Sequence, residues 1–220
     1  MNIAKLLDFG AEELNKNDIK SFRLDSEILL SKILGKSREE ILITPESKIK
    51  FKAEKEFKNL IKRRTLKEPI AYITQEKEFW SKRFEVSKHT LIPRPETELM
   101  VEKLIEIYNE KKISILDIGT GSGCIIISLL SELNNSRGIG LDISKEALII
   151  AKKNAEKNNI LKKIKFLHGS FLELNNRKFD LIVSNPPYIE TKALRNLEED
   201  IKKYEPLIAL DGGNDGLDVI

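Results

Sequence analysis

Along the first third of the chain apolar residues recur at helical spacing: Ile3, Leu6, Leu7 and Leu14, then Phe22, Ile28, Leu29, Ile33 and Leu34, then Phe51, Phe57, Leu60 and Ile61. Gly10, Gly35 and Pro45 punctuate these segments. The pattern predicts a small helical domain over residues 1–74. Lys62, Arg63, Arg64 and Lys67 fall near the end of its last long helix, where cations suit the helix terminus and a solvated face is expected. Between Glu68 and Pro93 the period changes. Phe79, Trp80, Phe84 and Val86 around Ser81-Lys82-Arg83 predict a β-hairpin, read as a connector over residues 75–95.

Helical spacing returns with Leu99, Val101, Leu104, Ile105 and Ile107. The segment that enters this helix, Leu91 to Glu98 (LIPRPETE), holds two prolines that stiffen it, and Thr97 or Glu96 can cap the helix. A rigid, Arg94-bearing loop at a helix start suits a lid or substrate wall; a plain linker is the competing reading. From there strands near 113–118, 138–142, 164–167 and 180–184 alternate with helical stretches, which predicts an α/β domain with a parallel sheet over residues 96–220.

Two strand ends carry candidate chemistry. The first strand runs into Asp117, Gly119, Thr120, Gly121, Ser122 and Gly123, a turn where glycines let the backbone approach a ligand. A dinucleotide fingerprint needs its third glycine one position later, where Cys124 stands. Asp117 disfavours a pyrophosphate and favours a cation, so the spacing points to the sulfonium of S-adenosylmethionine rather than to NAD. Asp142 ends the next strand 19 residues beyond Gly123, in place to accept ribose hydroxyls. Ser144 follows as a helix cap, and Ser170 and Phe171 follow the third strand, where they could hold an adenine; Phe171 as plain core is the alternative.

The second feature is Phe179-Asp180-Leu181-Ile182-Val183-Ser184 followed by Asn185-Pro186-Pro187-Tyr188. It reads as a buried strand that stops at two prolines. At the mouth of an open α/β sheet, the Asn185 side-chain carbonyl and the Pro186 backbone carbonyl can each accept one N–H of a planar amide or amine, while the Tyr188 ring packs on it. An ordinary turn is the competing reading.

Composition narrows the setting. Lys+Arg 38 against Asp+Glu 35 leaves a net charge of +3 over 220 residues, so no direct nucleic-acid binding is expected. One cysteine, Cys124, excludes an internal disulfide and a multi-cysteine metal site, and no metal is expected. It fits a reducing compartment, and with no apolar run long enough to span a bilayer, a cytoplasmic protein without membrane contact is expected. His89 and His168 read as surface residues.

With these motifs in hand the chain resembles the release factor glutamine methyltransferases, the HemK/PrmC family. The resemblance runs through Glu68 to Ile73, Glu78-Phe79-Trp80, Leu91 to Glu98, Asp117 to Gly123, Asp142, Asn185 to Tyr188, Tyr204-Glu205-Pro206, Ala209-Leu210 and Asp215-Gly216-Leu217. It implies a class I, Rossmann-like methyltransferase domain that takes its methyl group from S-adenosylmethionine. The implied substrate is the amide nitrogen, N5, of the glutamine in the Gly-Gly-Gln motif of peptide-chain release factors.

By position, Gly119 to Gly123, Asp142, Phe171 and Asn185 are implied to contact the cofactor and Asn185 to Tyr188 the glutamine. The helical domain is implied to hold the release factor. Gln75 and Ser170 depart from the family's usual glycine and acid. Four strands are fewer than the family's sheet, so a domain incomplete at its C-terminus is expected, with one face of Leu181 and Val183 uncovered. An N-methyltransferase acting on a base amine of nucleic acid, and an inactive cofactor-binding fragment, are the alternatives.

Overall fold

The structure, a computed structural model, describes residues 1–174 and 177–220. It divides into two compact units, Met1–Thr74 and Gln75–Ile220.

The first unit contains helices α1 (Ile3–Lys16), α2 (Phe22–Leu34), α3 (Arg38–Leu42), α4 (Phe51–Thr65) and α5 (Ile70–Thr74). Asn2 caps α1 by accepting from the Lys5 amide, and Ser37 with Glu40 forms a reciprocal capping box on α3. Leu6, Leu14, Leu29, Leu30, Ile41 and Phe57 close the core. Two expectations are corrected here. Gly10 does not end a helix; it lies inside α1, where a Cβ would stand 2.5 Å from Ser26 Oγ and 2.7 Å from the Phe57 ring, so the glycine serves helix contact. Arg64 is not on a solvated face: its Nε donates to Asp25 Oδ2 at 2.7 Å and Asp25 is buried, because a guanidinium with a second bond to the Glu68 carbonyl can be desolvated.

The second unit opens with the hairpin β1 (Glu76–Phe79) and β2 (Lys82–Glu85), antiparallel and in register from Glu76↔Glu85 to Phe79↔Lys82. Gln75, Trp80 and Ser81 all take positive φ, at 58°, 51° and 52°, the conformation that glycine adopts without cost. The residues read as a β-hairpin connector form that hairpin and pack within this unit: Phe79 and Phe84 lie edge to face and are buried in its core.

Helix α6 (Glu96–Tyr108) starts without a side-chain cap, so neither Thr97 nor Glu96 plays that part. Glu98 instead accepts from the Trp80 amide at 2.9 Å and fixes the hairpin turn. Strands β3 (Ser114–Ile118), β4 (Arg137–Asp142), β5 (Ile164–His168) and β6 (Leu181–Ser184) form a parallel sheet in the order β5-β4-β3-β6. Helices α7 (Cys124–Glu132) and α8 (Lys145–Lys157) cross between β3, β4 and β5. Successive strands step outward one way from β3, and β6 returns to its other side. The crevice beyond the carboxyl ends of β3 and β6 is therefore the switch point where such sheets take ligands.

Leu181 and Val183 are both buried in this core, and Ile182 is 59% exposed. The uncovered face of β6 is thus the opposite of the one expected, since the alternating pleat turns 181 and 183 together onto the helix-covered side.

Candidate active site

Every strand of the parallel sheet ends at one edge, where a cavity of about 740 Å³ opens. Its size falls within the roughly 300–1,000 Å³ typical of small-molecule sites. The turn after β3 forms its floor. The Thr120 amide bonds back to Leu141 of β4 at 3.0 Å, and the Gly121 amide donates to Asp142 Oδ2 at 2.8 Å. The other Asp142 oxygen accepts from the Ser144 amide at 2.9 Å, and Ser144 Oγ in turn accepts from the Ala147 amide to cap α8.

The three glycines divide their work. Gly119 and Gly121, at φ 68° and 56°, line the cavity, and a Cβ on Gly119 would project into open space while one on Gly121 would only graze the Gly119 carbonyl. Gly123 (φ 80°) is buried behind the loop, where a Cβ would meet Ile127 at 2.9 Å and Ala151 at 3.3 Å. It permits α7 and α8 to close on each other instead of facing a ligand.

Asp117 is likewise buried behind the turn and does not line the cavity. Thr120 Oγ1 donates to its Oδ2 at 2.7 Å, whereas Oδ1 has no hydrogen-bond partner among the described residues. Burial pushes this carboxyl up to about 7, against the pull of the Thr120 hydroxyl. Asp117 is placed to shape the turn from beneath.

Sequence reasoning missed the residue that clips this floor in place. Asn154 on α8 is fully buried; its Nδ2 donates to the Ser122 carbonyl and to the Glu85 carbonyl, both at 2.9 Å, and its Oδ1 accepts from the Glu85 amide at 2.6 Å. One side chain thereby joins α8, the glycine turn and β2. An Asn inside a predicted amphipathic helix gives no sign of this, because its partners come from distant parts of the chain.

The opposite wall comes from the exit of β6. Ser184 Oγ donates to the Ile118 carbonyl at 2.8 Å, tying the two strand ends together. Asn185, Pro186 and Pro187 line the cavity, and the Asn185 side-chain amide has no hydrogen-bond partner among the described residues. Tyr188 is 64% exposed and lies outside the lining. The segment after α9 (Glu199–Tyr204) braces this loop through its backbone: Ile189 N–H donates to the Leu210 carbonyl at 3.1 Å and Gly212 N–H to the Ile189 carbonyl at 2.9 Å. A Cβ on Gly212 would meet Tyr188 Cα at 2.8 Å, and one on Gly216 (φ 78°) the Tyr188 carbonyl at 2.6 Å, so these glycines are required for close approach.

The Leu91–Arg94 loop supplies a third side. Arg94 Nη2 donates to Glu205 Oε1 at 2.7 Å and the Ile92 amide to Glu205 Oε2 at 3.3 Å. Glu205 is buried, so the loop is a pinned wall. Phe171 is 43% exposed and lines the cavity beside Ser170, which makes it rim and not core. His89 is exposed, as read from the sequence, and also borders the cavity, while His168 bonds the Ile143 carbonyl at 3.1 Å. The apolar Leu207, Ile208 and Ala209 and the acid Asp218 also line it; of these only Ala209 falls in a stretch that the sequence singled out.

Among the described residues no group of His, Cys, Asp or Glu is arranged to hold a metal ion, and no helix is long and apolar enough to cross a membrane.

The PrmC N-terminal domain family matches residues 5–74, and a methyltransferase domain family matches residues 109–208. A release factor glutamine methyltransferase of Buchnera aphidicola (subsp. Acyrthosiphon pisum) is 42% identical over 99% of this chain and 77% of its own length. Its counterpart from Buchnera aphidicola (subsp. Schizaphis graminum) is 46% identical over 89% of this chain and 70% of its own length. A bifunctional methyltransferase of Rickettsia typhi is 40% identical over 99% of this chain, which spans only 46% of that protein. The chain thus covers about half the length of such bifunctional relatives. On the strength of identity carried across both units, and of a class I methyltransferase sheet with its cavity at the switch point, the chain belongs to the release factor glutamine methyltransferase family.

Proposed function

We propose that this chain methylates the side-chain amide nitrogen, N5, of the glutamine in the Gly-Gly-Gln motif of peptide-chain release factors, with S-adenosylmethionine as donor. The observation that carries the reading is the uncommitted Asn185 amide, held by Pro186 and Pro187 in the same cavity as the Gly119–Ser122 turn and Asp142.

The residues present suit that cofactor. Gly119 and Gly121 leave open space where side chains would stand, and Thr120 and Ser122 bring backbone to the cavity. Asp142, oriented by two amide donors, retains acceptor capacity for ribose hydroxyls, and Phe171 offers a ring face at the rim. Asp117 and Gly123 contribute from behind the turn. When bound, the cofactor supplies a methyl group already activated on a sulfonium.

The chain's own task is to present the nucleophile. An amide nitrogen is a poor one because its lone pair is delocalised. The Asn185 side-chain carbonyl and the Pro186 backbone carbonyl each accept one of its N–H groups, which fixes the amide plane and stabilises positive charge as it develops on nitrogen. Proline, with no N–H, cannot compete for those acceptors. The proton is lost only after nitrogen has become cationic, so no strong base is needed. Tyr188, exposed beside the cavity mouth, is assigned to packing on the incoming glutamine. Residues 1–74 are assigned to holding the release factor, with residues 75–95 leading into the methyltransferase domain at 96–220.

Transfer of labelled methyl to a purified release factor tests this directly, with the same factor carrying Ala for the Gly-Gly-Gln glutamine as the control. Labelling is expected in the first and absent in the second; equal labelling refutes the assignment. Asn185→Ala is expected to lower the transfer rate by roughly 10²–10³ while calorimetric affinity for S-adenosylmethionine changes little.

A further inference from the structure

The near-neutral total charge hides a segregated one. Because β3 to β6 are parallel, the four loops that lead into them reach one edge of the sheet, opposite the cavity. Each brings cations. Lys111 and Lys112 precede β3, Arg137 begins β4, Lys162 and Lys163 precede β5 with Lys165 inside it, and Arg177 and Lys178 precede β6. The acids on the entry loops at that edge are Glu110 and Asp180; Asp180 is occupied by the Ser114 amide at 2.8 Å and hydroxyl at 2.7 Å, and Glu132, which ends α7 just before the loop into β4, is engaged by Trp80 and Lys82.

None of those cations forms an ion pair among the described residues; exposed lysines such as Lys52, Lys55 and Lys62 of α4 share that state, and what sets the edge apart is that its cations converge. Arg137, Lys162, Lys163 and Lys165 converge on one cleft of about 610 Å³, together with the donors Asn135 and Ser136. Lys163 donates to the Leu130 carbonyl; Arg137, Lys162 and Lys165 are exposed and unengaged.

Like charges gathered without counterions repel one another, so the arrangement lowers stability unless an anion meets it. Among the described residues the large exposed apolar side chains on these connections are Phe171 and Leu172, which line the cavity at the other end of the sheet, so the strand-entry edge offers a protein partner no exposed hydrophobic centre on which to dock. Phosphates need none. We propose that the strand-entry edge of the methyltransferase unit binds the phosphodiester backbone of a nucleic acid without regard to sequence. The inference rests on charge and topology at the end of the sheet away from the cavity and is independent of the methyl-transfer assignment.

The test uses the full chain and a fluorescently labelled single-stranded RNA of mixed sequence, read by anisotropy across a salt series. Binding is expected to weaken steeply with salt. The triple variant Arg137→Ala, Lys162→Ala, Lys165→Ala is expected to lose at least tenfold in affinity at low salt and to flatten the log–log salt slope by about 2, since each single-strand phosphate contact contributes about 0.7. Lys52→Ala, Lys55→Ala, Lys62→Ala removes three exposed cations from α4 and is expected to change neither quantity. Should the triple variant unfold, Arg177→Ala with Lys178→Ala carries the same prediction with a slope change of about 1.4. The proposal is overturned by RNA binding that is absent at low salt, unchanged in the edge variants, equally weakened in the α4 control, or matched by a polyglutamate peptide of equal length.

Discussion

The two facing walls of the cavity are built on opposite plans. On the glycine-turn side, each of these polar side chains is engaged in holding the turn: Asp142 by the Gly121 and Ser144 amides, with acceptor capacity to spare, Thr120 by the Asp117 carboxylate, and Asn154 by Ser122 and Glu85. On the β6 side the Asn185–Pro187 loop is held by its own prolines and by glycines that admit a second backbone, and the Asn185 amide is left over. A wall that spends its side chains on itself offers shape and backbone groups. A wall shaped by Pro and Gly keeps a side chain free for chemistry.

Three substitutions set these plans against each other. The largest expected effect is Asn154→Ala, which strips partners from the Ser122 carbonyl and from both backbone groups of Glu85 in a buried position. A loss of about 3 kcal/mol is expected in denaturant unfolding, with cofactor affinity falling alongside. A loss below about 1 kcal/mol would mean that the first wall does not depend on side-chain bonds.

Next is Gly216→Ala on the second wall. It forces a side chain into positive φ against the Tyr188 carbonyl, with an expected cost of about 2 kcal/mol. Here cofactor affinity is expected to persist while methyl transfer falls, measured on the same preparation; loss of both together would dissolve the distinction between the walls.

The third test is a pH dependence, read as the change of a Tm difference with pH. Burial raises the Asp117 carboxyl from its ordinary 3.8 to about 7 in the fold, so the folded state holds the proton more tightly than the unfolded chain. The resulting stability is complete below about pH 4 and is lost as the pH climbs through 7. Asp117→Asn, which carries no such proton, is expected to gain in Tm relative to the parent as the pH rises from about 4 to about 7 and to hold that gain above it, by scanning fluorimetry; a difference constant from about pH 4 upward would refute the burial argument.

Much of this is legible from local pattern. Period 3.6 in the first unit, four short apolar runs, the glycine turn and the two prolines each depend on neighbours in sequence, and the sheet and the cavity follow from them. What sequence cannot supply depends on distance along the chain. Arg64 finds Asp25 across 39 positions, Glu205 reaches Arg94 across 111, and Asn154 reaches Glu85 across 69. Pleat parity at β6 is hidden as well, because an apolar run of Leu181, Ile182 and Val183 reads as buried on both faces until a partner covers each. Total charge, finally, carries no information on where the cations lie.

Gln75, Trp80 and Ser81 bear on how the sequence can drift. A left-handed conformation costs a residue with a Cβ about 1–2 kcal/mol, and a glycine there relieves it. Glycine also gives the unfolded chain more freedom, which costs about 0.4–1 kcal/mol. The second term offsets only part of the first, so glycine at position 75 would be favoured by about 1 kcal/mol at most, a cost the protein bears with Gln75. The hairpin entry can therefore carry a side chain at modest cost while the fold that follows it stays where it is.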